Sequence, residues 1–167
     1  MTLYLMRCVS AGATLFSIYD ECGALCCTAQ TLSGFFGNGF QITGTLAHRE
    51  AEIYITPMLL PHIHLFTVQV GGQRRAQLRM MLDGSVRTLR VDGTPCTVSG
   101  RPMTGDYTVR RSDRVLYRQQ LQQKNAGRTV FALTVPAAPD APVAVGLAVC
   151  MAMNLPTTQS LWVTISV

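Results

Sequence analysis

Through most of this chain, apolar and polar residues alternate in short runs broken by turn residues. In the run 51–56, Ile53 and Ile55 alternate with Glu52, Tyr54 and Thr56, the period of a strand with one buried face. The run 64–70 behaves alike, with Phe66, Val68 and Val70 on one side and Leu65, Thr67 and Gln69 on the other. Gly71-Gly72, Asp83-Gly84 and Asp92-Gly93 are hairpin signals, because glycine reaches the positive φ of tight turns. The pattern predicts strands near 4–9, 14–19, 24–30, 40–46, 51–56, 64–70, 75–82, 86–91, 95–99, 107–111, 115–120 and 128–135. Loops are expected at 31–38, between Pro57 and Pro61, and at 122–127.

One segment breaks the alternation. From Pro142 to Leu155 the only polar residue is Asn154. Asp140 is placed to cap a helix start, where a carboxylate accepts from the free amides of the first turn. Pro142 then falls where its missing N–H costs nothing. Ala144, Leu147, Ala148, Met151 and Ala152 favour helix, Gly146 is a mild penalty, and Pro156 ends the segment. A helix apolar on every side is either buried all round or in a membrane. About 15 residues span roughly 22 Å, short of the ~30 Å hydrocarbon core. A buried central helix over about 140–155 is therefore expected. Burying its side chains contributes about 10–20 kcal/mol gross, and ordering the segment costs about as much. Such a helix orders only in a cavity that the strands have already built.

About twelve short strands with tight connections belong to an antiparallel barrel or sandwich. A sandwich fills its interior with side chains. A closed barrel of about twelve strands has a wide interior, and an all-apolar helix is the plug it needs. The expected fold is mainly β: a closed antiparallel barrel of about twelve strands, over about 3–135, enclosing a central hydrophobic C-terminal helix. The 167 residues suit one domain, with an extra strand-like tail at 157–167.

Composition narrows the class. The chain is 48% hydrophobic and 14% charged, which argues against disorder and for much inward-facing surface. Its net charge of +5 comes almost wholly from arginine, Lys124 being the one lysine. That charge permits an anionic partner without demonstrating one. The start, MTLYLMRCVS, lacks signal-peptide features, so a cytoplasmic protein, at most peripheral to a membrane, is expected. The six cysteines then read as reduced, mostly core thiols. Cys22, Cys26 and Cys27 cluster, but no histidine or second cysteine pair stands at ligand spacing, and Cys26 and Cys27 face opposite sides of one strand.

Several features in order carry a resemblance: Ile18, Asp20 and Gly23 in an early turn, the Asp83-Gly84 and Asp92-Gly93 turns, Val98-Ser99-Gly100, Asp106-Tyr107-Thr108-Val109, and the final apolar segment. Over roughly residues 3–155 the chain resembles the tubby C-terminal-like superfamily, in its small LURP-one-related branch with bacterial and plant relatives. The resemblance implies a twelve-stranded barrel around a central helix. It also implies contact with phospholipid, since tubby proteins bind phosphoinositides through surface basic residues and the related scramblases act at membranes. No position here matches tubby's basic site, so no residue is carried over from it. Residues 157–167, with Leu161 and Trp162, extend past the family pattern.

The candidate site residues are mainly arginines. Arg74, Arg75 and Arg79 lie on one predicted hairpin, Arg87 and Arg90 on the next strand, and Arg110, Arg111, Arg114 and Arg118 on a third hairpin. Facing outward on adjacent strands, they would make an anion or lipid-headgroup surface; the plainer reading is a solvated face that blocks edge pairing. Phe35 and Phe36 on a glycine-rich loop, with Leu161 and Trp162 in the tail, are candidate interface residues for a membrane, another protein or a homo-oligomer. His62 and His64 alternate as two ligands on one strand face would, but a third is wanting. Ser33-Gly34 and Ser99-Gly100 are not nucleophile elbows. Too few aromatics accompany the arginines for nucleic acid. No catalytic residue, cofactor or metal is expected. The reading is a non-enzymatic binding or scaffold module for anionic phospholipid. The alternatives are an oligomeric protein-interaction domain, and a small-ligand barrel or cryptic enzyme.

Overall fold

The computed structural model describes residues 1–10, 13–34, 37–125 and 127–154. The alternating runs form twelve strands: β1 Thr2–Ser10, β2 Ala13–Tyr19, β3 Leu25–Gly34, β4 Gly37–Leu46, β5 Arg49–Leu60, β6 Ile63–Val70, β7 Gln73–Met81, β8 Val86–Val91, β9 Thr94–Arg101, β10 Asp106–Arg111, β11 Arg114–Asn125 and β12 Arg128–Thr134. Each pairs antiparallel with its neighbours in sequence, and β12 returns to β1 in register from Thr2↔Thr134 to Cys8↔Arg128. The sheet is thus a closed barrel of twelve strands. Closure gives every strand two neighbours and removes the edges that invite aggregation.

The predicted alternation sets the faces. Leu5, Ile18, Ile42, Ile53, Val68 and Leu78 point inward and are no more than 1% exposed. Within the loops expected at 31–38 and 122–127, residues 31–34, 37–38 and 122–125 are instead strand: β3 runs on to Gly34, β4 begins at Gly37, and β11 runs to Asn125. The loop expected between Pro57 and Pro61 is strand as far as Leu60, because β5 continues through Pro57. Ser, Gly, Asn and Pro mark turns in a lone segment, but a partner strand can hold the same residues extended.

Inside the barrel lies α1, Ala141–Met153, with every residue from Val143 to Ala152 no more than 2% exposed. A 3-10 turn, Ala138–Asp140, leads into it, and Pro142 sits in the first turn as expected. The Asp140 carboxylate does not cap the helix: Asp140 has helical φ and ψ of −85° and −9°, and its side chain turns elsewhere. The helix ends at Asn154, whose Nδ2 donates to the Cys150 carbonyl at 2.8 Å. Tyr107 donates to Gln119 at 3.0 Å, and Gln119 donates to the Gly105 carbonyl at 3.4 Å.

Gly146 explains how the helix fits. A Cβ there would lie 2.5 Å from Val68 Cγ1 and 3.2 Å from Ile53 Cγ2. The helix therefore leans on β5 and β6 at its one residue without a side chain. Gly146→Ala should raise helix propensity by about 1 kcal/mol yet destabilise the protein by about 1–3 kcal/mol through overpacking. Urea denaturation checks the sign, and a more stable variant would show that this contact is loose.

Candidate functional site

The two ends of the barrel differ. At the helix start, three hairpin ends meet. Asp92, in the β8–β9 turn, accepts from Arg75 Nε at 2.5 Å and Nη2 at 3.1 Å, and from Arg111 Nη1 at 3.0 Å. Arg111 also approaches Asp140 at 3.8 Å, and Arg114 donates to the Asp140 carboxylate, whose side chain is only 10% exposed. Arg75, Arg111 and Arg114 thus tie the β6–β7, β8–β9 and β10–β11 hairpins to the first residue before α1. They form a latch, which sets these three apart from the other six candidate arginines.

The other six, Arg74, Arg79, Arg87, Arg90, Arg110 and Arg118, are exposed. Among the described residues none of them forms an ion pair; Arg118 Nε donates to Thr108 Oγ1 at 3.2 Å. Arg79 lies opposite Thr88, Arg90 opposite Gln77, and Arg110 opposite Thr97. The outer face from β7 to β11, about 19 Å across, carries these cations, and β7, β8 and β9 contain no acidic residue. Arg101, exposed at the end of β9, joins them, though nothing in its local sequence marked it.

At the helix end the wall opens. The β4–β5 ladder runs from Leu46↔Arg49 only as far as Phe40↔Ile55. Beyond that point β5 continues to Leu60 paired with β6, while β4 continues to Gly37 paired with β3. Pro57 lies just past the split and has no N–H to donate across it. Gly39 lets the backbone of β4 pass close by, since a Cβ there would meet the Ile55 carbonyl oxygen at 2.7 Å. A cleft of about 900 Å³ occupies the gap, with Phe40, Pro57, Phe66 and Met153 among its lining residues. His64 Nδ1 donates to Asn154 Oδ1 at 2.7 Å at its floor. Around this rim Met58, Leu59, Leu60, Leu82 and Met103 are 38–66% exposed.

His62 lies in the turn before β6, so the two histidines do not share a strand. Among the described residues no group of three or more His, Cys, Asp or Glu could hold a metal ion. Cys22 is exposed in the β2–β3 turn, Cys26 half-buried and Cys27 buried, and burial pushes the Cys27 thiol up to about 11. Arg7, on the inner face of β1, is buried, and desolvation lowers its pKa. Phe35, Phe36, Leu161 and Trp162 lie outside the described residues. No helix among the described residues is long and apolar enough to cross a membrane. No protein-family model matches the chain, and no curated protein is similar to it.

Hydrogen bonding from Arg75 holds the Asp92 carboxyl below its ordinary value of 3.8. A carboxyl depressed in the folded state contributes stability above its unfolded pKa and loses it as pH falls through the folded one. Asp92 is about one-third exposed, so its pairs are worth about 0.5–1 kcal/mol. Asp92→Asn should lower the unfolding free energy from urea denaturation at pH 7 by that amount. The difference from the unsubstituted protein should close below about pH 4. A difference independent of pH would show that the carboxylate charge is not what Asp92 contributes.

Proposed function

We propose that the protein is a non-enzymatic module that docks on anionic membrane surfaces by its open rim. The observation that carries this reading is the set of exposed apolar side chains at one end of the barrel: Met58, Leu59, Leu60, Leu82 and Met103. Isolated exposed apolar residues are ordinary; a collection on neighbouring hairpin tips marks a surface that is covered in use. Cations stand just behind the tips. Arg79 lies near the end of β7 just before Leu82 in the β7–β8 turn, Arg87 follows across that turn, and Arg101 lies two residues before Met103. Apolar tips dipping into the headgroup boundary with arginines above them is the arrangement of interfacial binders. Arg74 and Arg110 stand near the opposite end and contribute only through the long-range field. The tubby-like resemblance supports the same class of partner. The apolar rim also suits a second reading, self-association of two barrels end to end.

Co-sedimentation with vesicles of neutral and of anionic lipid, at low and at physiological salt, tests the reading. Binding should require anionic lipid and weaken with salt. Replacing Arg79, Arg87 and Arg101 with Gln should weaken it about 100-fold, at about 1 kcal/mol for each cation. Replacing Met58, Leu59 and Leu60 with Ser should abolish it without unfolding exposed positions. Absence of binding to anionic vesicles at low salt overturns the membrane reading. A concentration-dependent dimer in light scattering, lost in the Ser variant, would support self-association instead.

A further inference from the structure

The split between β4 and β5 does more than expose apolar tips. Two rows of directly opposed residues cross the wall beside it. On the outer face Met58 opposes Leu65, Leu65 opposes Arg79, and Arg79 opposes Thr88. On the inner face Pro57 opposes Phe66, and Phe66 opposes Leu78. All of these residues line the same cleft, so it reaches both faces of the wall. Its outer end is polar and positive at Arg79, Thr88 and Gln77; its passage is apolar at Leu65, Met58 and Pro57; its inner end is apolar at Phe66, Leu78 and Met153.

We propose that this cleft binds one single-chain anionic amphiphile, with its acidic head on Arg79 and its hydrocarbon chain passing through the split seam. Charge complementarity fixes the head. Arg79 forms no ion pair among the described residues, and no described lining residue is acidic. Thr88 and Gln77 set a hydroxyl and an amide beside it on the same face. A guanidinium with neutral donors is suited to a carboxylate or a phosphate monoester. The inner end suits the chain because the imidazole N–H and the side-chain amide there are already engaged: the His64 N–H is given to Asn154, and Asn154 Nδ2 to the Cys150 carbonyl and Met80 sulfur. From Arg79 to Met58 the path crosses two interstrand spacings, roughly 10 Å, before it turns inward. The volume of about 900 Å³ lies within the range of small-molecule sites, about 300–1,000 Å³.

This site works on monomeric amphiphile in water, so its test is separate from vesicle docking. The delipidated full chain is titrated with oleate, 1-oleoyl lysophosphatidate and oleyl alcohol below their critical micelle concentrations, against a fluorescent fatty acid. Oleate or lysophosphatidate should bind saturably at one per chain, the stronger of the two identifying the carboxylate or phosphate source. Arg79→Gln should weaken the anionic ligand about tenfold or more and leave oleyl alcohol unchanged. Met58→Glu, at an exposed position that does not threaten folding, should weaken all three. Anionic-ligand affinity unchanged by Arg79→Gln overturns the head assignment, and affinity unchanged by Met58→Glu overturns the path. Unsaturable uptake overturns the site altogether. Oleate binding without vesicle binding would retain the cleft and remove the membrane reading; vesicle binding without amphiphile binding would do the reverse.

Discussion

A twelve-stranded sheet that closes on itself encloses more space than its own inward side chains fill. That space must be occupied, because an interior packed below the density of an organic solid forfeits contacts on every wall. Here α1 occupies it, and neither part is viable without the other. The helix has no polar face to give to water, so it cannot sit on the outside of anything. The barrel, emptied of the helix, would present Ile53, Val68 and Leu78 to a void. The fit is close enough that a single position, Gly146, carries no side chain where β5 and β6 press on it.

Filling the interior this way decides where activity can lie. Tyr107, Tyr117, Gln119 and Cys150 are buried; the two tyrosine hydroxyls meet, Tyr107 donates to Gln119, and Gln119 donates to the Gly105 carbonyl. Burial pushes both tyrosines and the Cys150 thiol towards their neutral forms, the opposite of an activated nucleophile. What remains is the outer face and the two ends. One end is closed by Asp92, Asp140 and their arginines. Among the described residues the other end is open and apolar.

The repeating architecture was legible because it rests on local rules. Period-2 alternation and Gly-containing turns placed all twelve strands, and the lack of any polar face on 142–153 placed the helix inside. The site was much less legible, for a physical reason. Asp140 reads locally as a helix cap, but its partner Arg114 is 26 residues away and reaches it through the pairing of β11 with β12. Nothing in the spacing of the nine arginines separates Arg75, Arg111 and Arg114, which bind Asp92 and Asp140, from Arg79, which faces the cleft. Pro57 misleads in a more instructive way. Its composition signal for a break is correct, but what it breaks is the ladder between β4 and β5, while β5 itself runs on. A missing donor is a statement about the neighbouring strand as much as about its own.

Element lengths show why the opening falls at the helix end. The 13 residues of α1 span about 20 Å. The 12 residues of β5 span about 40 Å along the strand, which at a barrel tilt of about 35–45° is about 30 Å along the axis. The plug is therefore shorter than the wall by about 10 Å. The latch on Asp140 fixes which end is left unfilled, by holding the helix start level with the β8–β9 and β10–β11 turns. Among the described residues the shortfall falls at the Asn154 end, where β5 and β6 run on past the last β4–β5 pair as a ribbon free of β4. An apolar cleft at that place is thus the geometric remainder of a short helix pinned at its start, and the basic outer face beside it supplies the charge that sets what the remainder can hold.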